Sequence, residues 1–270
     1  MNLKIIVCIG LFLSVFNQQC LANEKFPGRK IYSNVHHIST EQLYQQRQQS
    51  IIVDARSKQE FQTLHIKNAI NIPLSLSKDN FINKLELLRK GNNKAIVFYC
   101  NGHSCIKSYK AARRAMLFSK LDNIYAYDTG VFDWTRQHPN EAELLGESPV
   151  KIDQLIPKKT LQKHMLPALK FIRSAAGNSE ILDIRDRSQR DDFYVFAGFE
   201  HSIPLGNTEK LTAYIKKIKY QKKTLYVYDA VGEQVRWLQY YLEKQNIKNY
   251  YFMKGGASAY FNIPQSELMD

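Results

Sequence analysis

The chain repeats itself, and that restricts its fold more than any other feature. Ile51-Ile52-Val53-Asp54-Ala55-Arg56-Ser57 is echoed by Ile181-Leu182-Asp183-Ile184-Arg185-Asp186, with Asp54 and Asp183 offset by 129. Ala95-Ile96-Val97-Phe98-Tyr99-Cys100 returns as Thr224-Leu225-Tyr226-Val227-Tyr228-Asp229 at the same offset, and Ile72-Pro73-Leu74 returns as Ile203-Pro204-Leu205. Asn123 to Gly130 matches Asn249 to Gly256 at an offset of 126. The first copy is therefore three residues longer between Cys100 and Asn123, and the loop just after Cys100 is where the extra length is expected. A period near 128 is far too long for a solenoid repeat and fits two duplicated domains of ordinary size.

Each copy alternates short apolar runs with helical stretches. Residues 51–53, 95–99 and 124–127 are apolar without alternation, as strands buried on both faces are. Between them, Asn80 to Leu88 and Ser108 to Phe118 place apolar residues at helical spacing. Strands alternating with helices predict an α/β fold, each domain a central, mainly parallel sheet flanked by helices. Gly146 to Lys159, with one Gly, two Pro and three Lys, reads as the linker. The expected layout is a first domain over 33–145, a linker over 146–159 and a second domain over 160–268.

The first 22 residues read differently. Lys4 precedes a largely apolar run of 12 from Ile5 to Phe16, then Asn17-Gln18-Gln19 and Cys20-Leu21-Ala22. That is the pattern of an export signal cut after Ala22, and 12 apolar residues are short for an anchor helix. The expectation is a periplasmic or secreted protein with no stable membrane anchor after cleavage. The formal charge of +13 loses only Lys4 with this segment, leaving +12, while Cys8 and Cys20 go with it. Cys100 and Cys105 remain, in a compartment that permits disulfides.

Cys100 directly follows a buried strand and is succeeded by Asn101-Gly102-His103-Ser104-Cys105-Ile106-Lys107, then a helix from about Ser108. Ligand crevices in parallel α/β sheets lie outside the carboxyl ends of the strands. Backbone N–H groups of a curled loop and a helix N-terminus favour an anion there, and they lower the pKa of a thiol. Cys100 is the expected nucleophile. Asn101, Gly102, His103, Ser104, Ile106, Lys107 and Ser108 are the expected substrate-binding surround, with Lys107 the main electrostatic helper. Asp54 and Arg56 read as a structural ion pair, since Asp183 and Arg185 repeat them in a copy that has no cysteine. His65 reads as a packing and turn residue. His36 and His37 are adjacent, no Cys or carboxylate cluster completes a metal site around them, and no cofactor is called for.

Taken together, Val53-Asp54-Ala55-Arg56, Glu60-Phe61, His65 to Pro73, Tyr99-Cys100-Asn101-Gly102 through Lys107-Ser108, and Gly130-Val131-Phe132-Asp133-Trp134 resemble the rhodanese family of sulfurtransferases. The resemblance covers both halves and is clearer in the first. It implies a tandem, exported type with a persulfide carried on the loop cysteine, which by position is Cys100. The chain departs from the family pattern at Leu64 and Asn68, where glycines are usual, and Asn tolerates the positive φ such a turn needs. Its loop spans eight residues from Cys100 to Lys107, longer than usual, with Lys where Arg is common. Asp229 stands in the second copy where Cys100 stands in the first, so that copy is expected to be inactive.

Three function classes follow. The first is sulfur transfer from a small anionic donor such as thiosulfate to a thiol or cyanide acceptor through a Cys100 persulfide. The second is thiol–disulfide or persulfide redox chemistry of the Cys100/Cys105 pair, with Cys105 resolving or regulating. The third is a non-catalytic binding module. A phosphatase or arsenate reductase ranks below these, because no Arg closes the loop. The positive charge is spread along the chain, which reads as a solvated basic surface rather than a nucleic-acid site.

Overall fold

The computed structural model describes residues 26–268 apart from 120, 176, 178 and 191–192. The signal segment expected at 1–22, with its cut after Ala22, lies outside the described residues. The chain divides between Ile152 and Asp153 into two units. No helix among the described residues is long and apolar enough to cross a membrane.

The first unit runs α1 (Pro27–Ile31), β1 (His36–His37), α2 (Thr40–Gln46), β2 (Ser50–Asp54), α3 (Lys58–Thr63), β3 (Leu64–Ile66), β4 (Ile70–Asn71), α4 (Lys78–Arg89), β5 (Ala95–Tyr99), α5 (Lys107–Phe118), β6 (Ile124–Tyr127), α6 (Gly130–Gln137) and β7 (Ala142–Leu144). Its parallel sheet has the order β1-β6-β5-β2-β4, with β5 in the middle, and β3 pairs antiparallel with β7 beside it. Ile96 and Phe98 of β5, Val53 of β2 and Ala126 of β6 join a core that takes in Phe81 and Leu85 of α4. From α5 come Ala111, Ala112 and Ala115, all fully buried. Small side chains on that face bring α5 close to the sheet, so its first turn stands directly over the carboxyl end of β5.

The second unit runs α7 (Lys158–Lys163), β8 (Met165–Leu166), α8 (Ala168–Ala175), β9 (Ser179–Asp183), α9 (Arg187–Arg190), β10 (His201–Ser202), α10 (Thr208–Gln221), β11 (Thr224–Tyr228), α11 (Val235–Lys244), β12 (Tyr250–Met253) and α12 (Gln265–Leu268). Its sheet is also all parallel, in the order β8-β12-β11-β9-β10. Numbered within each unit, both sheets have the same order, 1-5-4-2-3, so the sequence repeat is a repeat of topology. The copies part company after the second strand. The first has the longer α3 and the β3/β7 pair, whereas the second, among the described residues, has only the short α9.

The segment read as a linker is structured in part. Leu144 bridges to Glu147, Val150 is buried, and α7 begins at Lys158. Asn68 does take the left-handed conformation, with φ 61°.

Candidate active site

The loop from Cys100 to Ile106 connects the central strand β5 to α5. It is drawn tight by a hydrogen bond from the Cys105 N–H to the Gly102 carbonyl (2.6 Å). Its flank is the first turn of α6, where the Val131 N–H donates to the Cys100 carbonyl (3.0 Å). Gly102 (φ 140°) and Gly130 (φ 82°) make that approach possible. A Cβ on Gly130 would lie 2.3 Å from the Gly102 Cα, and neither backbone angle suits a side chain.

Helix α5 has no side-chain cap at its N-terminus, so its first N–H groups need other acceptors. They find sulfur. The Lys107 and Asn101 N–H groups and the Cys100 thiol all favour the thiolate of Cys105. The Cys100 Sγ lies one step deeper, where its thiol donates to the Cys105 carbonyl (3.1 Å) with the Ser108 Oγ at 3.6 Å. Both thiols are free; Cys100 is buried and Cys105 partly exposed.

This arrangement separates the two thiols. Burial pushes the Cys100 thiol well above the ordinary cysteine range, and the neighbouring Cys105 pushes it the same way. For Cys105 the hydrogen bond from Cys100 outweighs burial, and with the Lys107 and Asn101 N–H groups and the Lys107 ammonium it brings the pKa down to about 6. The sequence places the low-pKa thiolate at Cys100. In the folded loop that property belongs to Cys105, because the added loop length returns this side chain to the N–H groups of the loop and helix start.

Beneath the loop lies a chain of paired charges. Arg56 and Asp54 are fully buried and joined at 2.6 Å. Arg56 also donates to the Asn101 Oδ1 (3.0 Å), and Asn101 donates through Nδ2 to the Glu60 Oε1 (2.9 Å). Glu60 is held at its place by a capping box with Ser57 at the start of α3. Burial opposes its ionisation, but Arg56, Lys107 and Asn101 overcome that and hold its carboxyl below the usual range. Lys107 reaches the same carboxylate at 3.6 Å, so the cation expected to face the substrate is partly neutralised. Sequence reasoning met Glu60 only as part of a motif; its capping box, a Ser three residues ahead of it, was the available signal.

At the loop's outer side the His103 Nε2 pairs with the Asp133 Oδ2 (2.7 Å), and Arg136 donates to the other oxygen (2.8 Å). The Phe26 ring lies 4.7 Å from the His103 ring. Ser104 is exposed and Ile106 half-buried, whereas Ser108 is buried. His65 stacks on Phe61 and bonds its carbonyl through Nδ1 (2.8 Å), away from either thiol's partners.

The second unit has the equivalent loop without a thiol. Asp229 follows β11, and its carboxylate accepts N–H groups from Val231 (3.1 Å), Gly232, Gln234 and Val235 (3.1 Å). The buried Asp183–Arg185 pair is kept at 2.9 Å. The N–H cradle survives, filled by the chain's own carboxylate.

Comparison with known proteins finds a family match within the first unit. Residues 39–137 match the rhodanese-like domain family. Curated relatives named tRNA uridine(34) hydroxylase share this part. The one from Pectobacterium carotovorum subsp. carotovorum (strain PC1) is 30% identical over 88 residues, which is 33% of this chain and 24% of that protein. The one from Yersinia pestis (strain Pestoides F) is 27% identical over 104 residues, 38% of this chain and 28% of that protein. The chain thus spans about a quarter of the length of the curated relatives it matches. Among solved structures, the thiosulfate sulfurtransferase from Pseudomonas aeruginosa aligns with 89% of this chain and 46% of its own, at 16% identity and a TM-score of 0.36. The As-Sb reductase from Leishmania major aligns with 41% of this chain and 86% of its own, at 20% identity and a TM-score of 0.36.

Proposed function

We propose that the protein is an exported sulfurtransferase that takes sulfane sulfur from a small anionic donor, such as thiosulfate, and passes it to a thiol or cyanide. The observation that carries the reading is the loop after the central strand, where two thiols share the N–H groups of a helix start. A loop thiolate attacks the outer sulfur of the donor, the donor's S–S bond breaks, and sulfite leaves with the electron pair. The same N–H groups stabilise the anionic persulfide, and an acceptor thiolate or cyanide then removes the terminal sulfur. The second unit, its cradle occupied by Asp229, takes no sulfur.

The sequence pattern favours Cys100 as the carrier; the exposure and pKa of Cys105 favour Cys105 as the first to attack. Thiocyanate formation from thiosulfate and cyanide separates them. Cys105→Ser is expected to lose turnover by at least two orders of magnitude. If instead Cys105→Ser retains it and Cys100→Ser is dead, Cys100 attacks and the carrier is the one read from sequence. Full turnover in the double variant would exclude loop-thiol catalysis altogether. Export is tested by fractionating cells that express the full chain, with removal of residues 1–22 the expected result.

A further inference from the structure

Cys100 is an expensive residue if it is only a bystander. It is fully buried, so an anionic donor cannot reach it while the loop is closed, yet its thiol lies against Cys105, donating to that residue's carbonyl at 3.1 Å. Its one accessible reaction partner is therefore inside the loop. The second copy has no thiol at either position and is shorter in this segment, so the pair comes with the added length.

We propose that the loop is a two-thiol centre in which Cys100 resolves a Cys105 persulfide, releasing the sulfane sulfur as hydrosulfide and leaving a Cys100–Cys105 disulfide. This rests on the sulfur-transfer reading above and adds a second activity, reductive desulfuration of sulfane compounds at the expense of an external dithiol. In the first step the Cys105 thiolate takes the outer sulfur of thiosulfate and sulfite departs. In the second the Cys100 sulfur bonds to the Cys105 sulfur and the persulfide S–S bond breaks. The Cys100 proton goes to the departing sulfur, which leaves as hydrosulfide. The two cysteine sulfurs are oxidised by one electron each, and the sulfane sulfur is reduced by two. A dithiol of the compartment then reopens the disulfide by thiol–disulfide exchange.

The burial of Cys100 suits this role. A protonated, enclosed thiol is not consumed by donor or oxidant, and it meets the persulfide only where Cys105 already lies. Ser108 Oγ, 3.6 Å from the Cys100 Sγ, is placed to steady the sulfur as the proton leaves.

The test is a single turnover of the fully reduced full-length protein with one equivalent of thiosulfate, without oxygen or added thiol. Sulfite, sulfide and the intact mass are read together. The expected result is stoichiometric sulfite, stoichiometric sulfide and a chain lighter by two hydrogens, whereas Cys100→Ser keeps the sulfur it takes up and yields no sulfide. Sulfite without sulfide in the unmodified protein, with a chain heavier by one sulfur, would overturn the proposal and leave sulfur transfer standing. The same holds if Cys100→Ser releases sulfide as the unmodified protein does. Absence of sulfite from the unmodified protein would remove sulfur transfer and this proposal together. The unmodified protein decides the matter even if the variant does not fold.

Discussion

Two cysteines five positions apart acquire opposite characters because of which hydrogen-bond donors each one meets. Two backbone N–H groups and the Cys100 thiol favour the Cys105 thiolate, while Cys100 is enclosed and its own thiol bonds the Cys105 carbonyl. Alkylation by iodoacetamide is the direct readout. Cys105 should react with a rate that climbs through about pH 6 and is level above it, because its thiolate is already formed. Cys100 should remain slow throughout neutral pH. Cys100→Ala removes a hydrogen bond to the charged form, worth about 1.5 kcal/mol or more. The Cys105 midpoint is then expected to move upward by about one pKa unit.

Glu60 gives a second prediction at this scale. Its folded pKa lies below the unfolded value. The ionised form therefore contributes stability above the unfolded pKa, and that contribution is lost as pH falls through the folded one. Denaturant unfolding of Glu60→Gln should show less loss of stability on acidification than the unmodified protein. A parallel pH dependence in the two would mean that the carboxylate is not coupled to Arg56 and Lys107. Lys107→Ala should lower kcat/KM for thiosulfate by roughly tenfold, since Lys107 is already paired with Glu60 and the backbone N–H groups face the anion as well. Steady-state kinetics measures this.

Among the elements, the N–H cradle is the part retained in both copies, and what fills it differs. In the second unit Asp229 satisfies four backbone donors. Asp229→Ala leaves them without their acceptor in a partly buried loop, at a cost of about 2 kcal/mol. Urea unfolding is expected to show that loss, partly restored by sulfate, which enters the emptied cradle. No loss would mean that water serves the loop equally well. In the first unit Gly130→Ala brings a methyl group against Gly102 in a conformation that disfavours it. The loop must shift, and sulfur transfer should fall by at least tenfold while the circular dichroism spectrum is retained.

For the whole molecule, the duplication was legible because β2, β5 and β6 and their counterparts are buried on both faces. Burial on both faces leaves apolar runs that survive in the sequence. The edge strands β1, β4, β8 and β10 have two residues each, too few to carry a period, and β3 and β7 have no counterparts among the described residues of the second copy to reveal them. The cysteine loop was legible as a site for the same reason as β5: it ends a buried strand. Which thiol the N–H groups would face was not legible, because that depends on how the eight-residue loop curls. Nor was the Glu60–Asn101 bond, whose partners lie 41 residues apart. The formal charge of +13 belongs to this scale too. Attraction of an anionic donor by spread surface charge is screened as the Debye length falls from ~10 Å at 0.1 M salt to ~3 Å at 1 M. KM for thiosulfate should therefore rise with ionic strength while kcat holds.

The central claim is that a loop thiolate, Cys105 in the resting fold, takes sulfur from an anionic sulfane donor. Rapid mixing of the fully reduced protein with excess thiosulfate, with sulfite followed in time, tests it most directly. The account predicts a sulfite burst equal to the protein concentration, abolished in Cys105→Ser. A burst that survives in Cys105→Ser, or no burst in the unmodified protein, would contradict it.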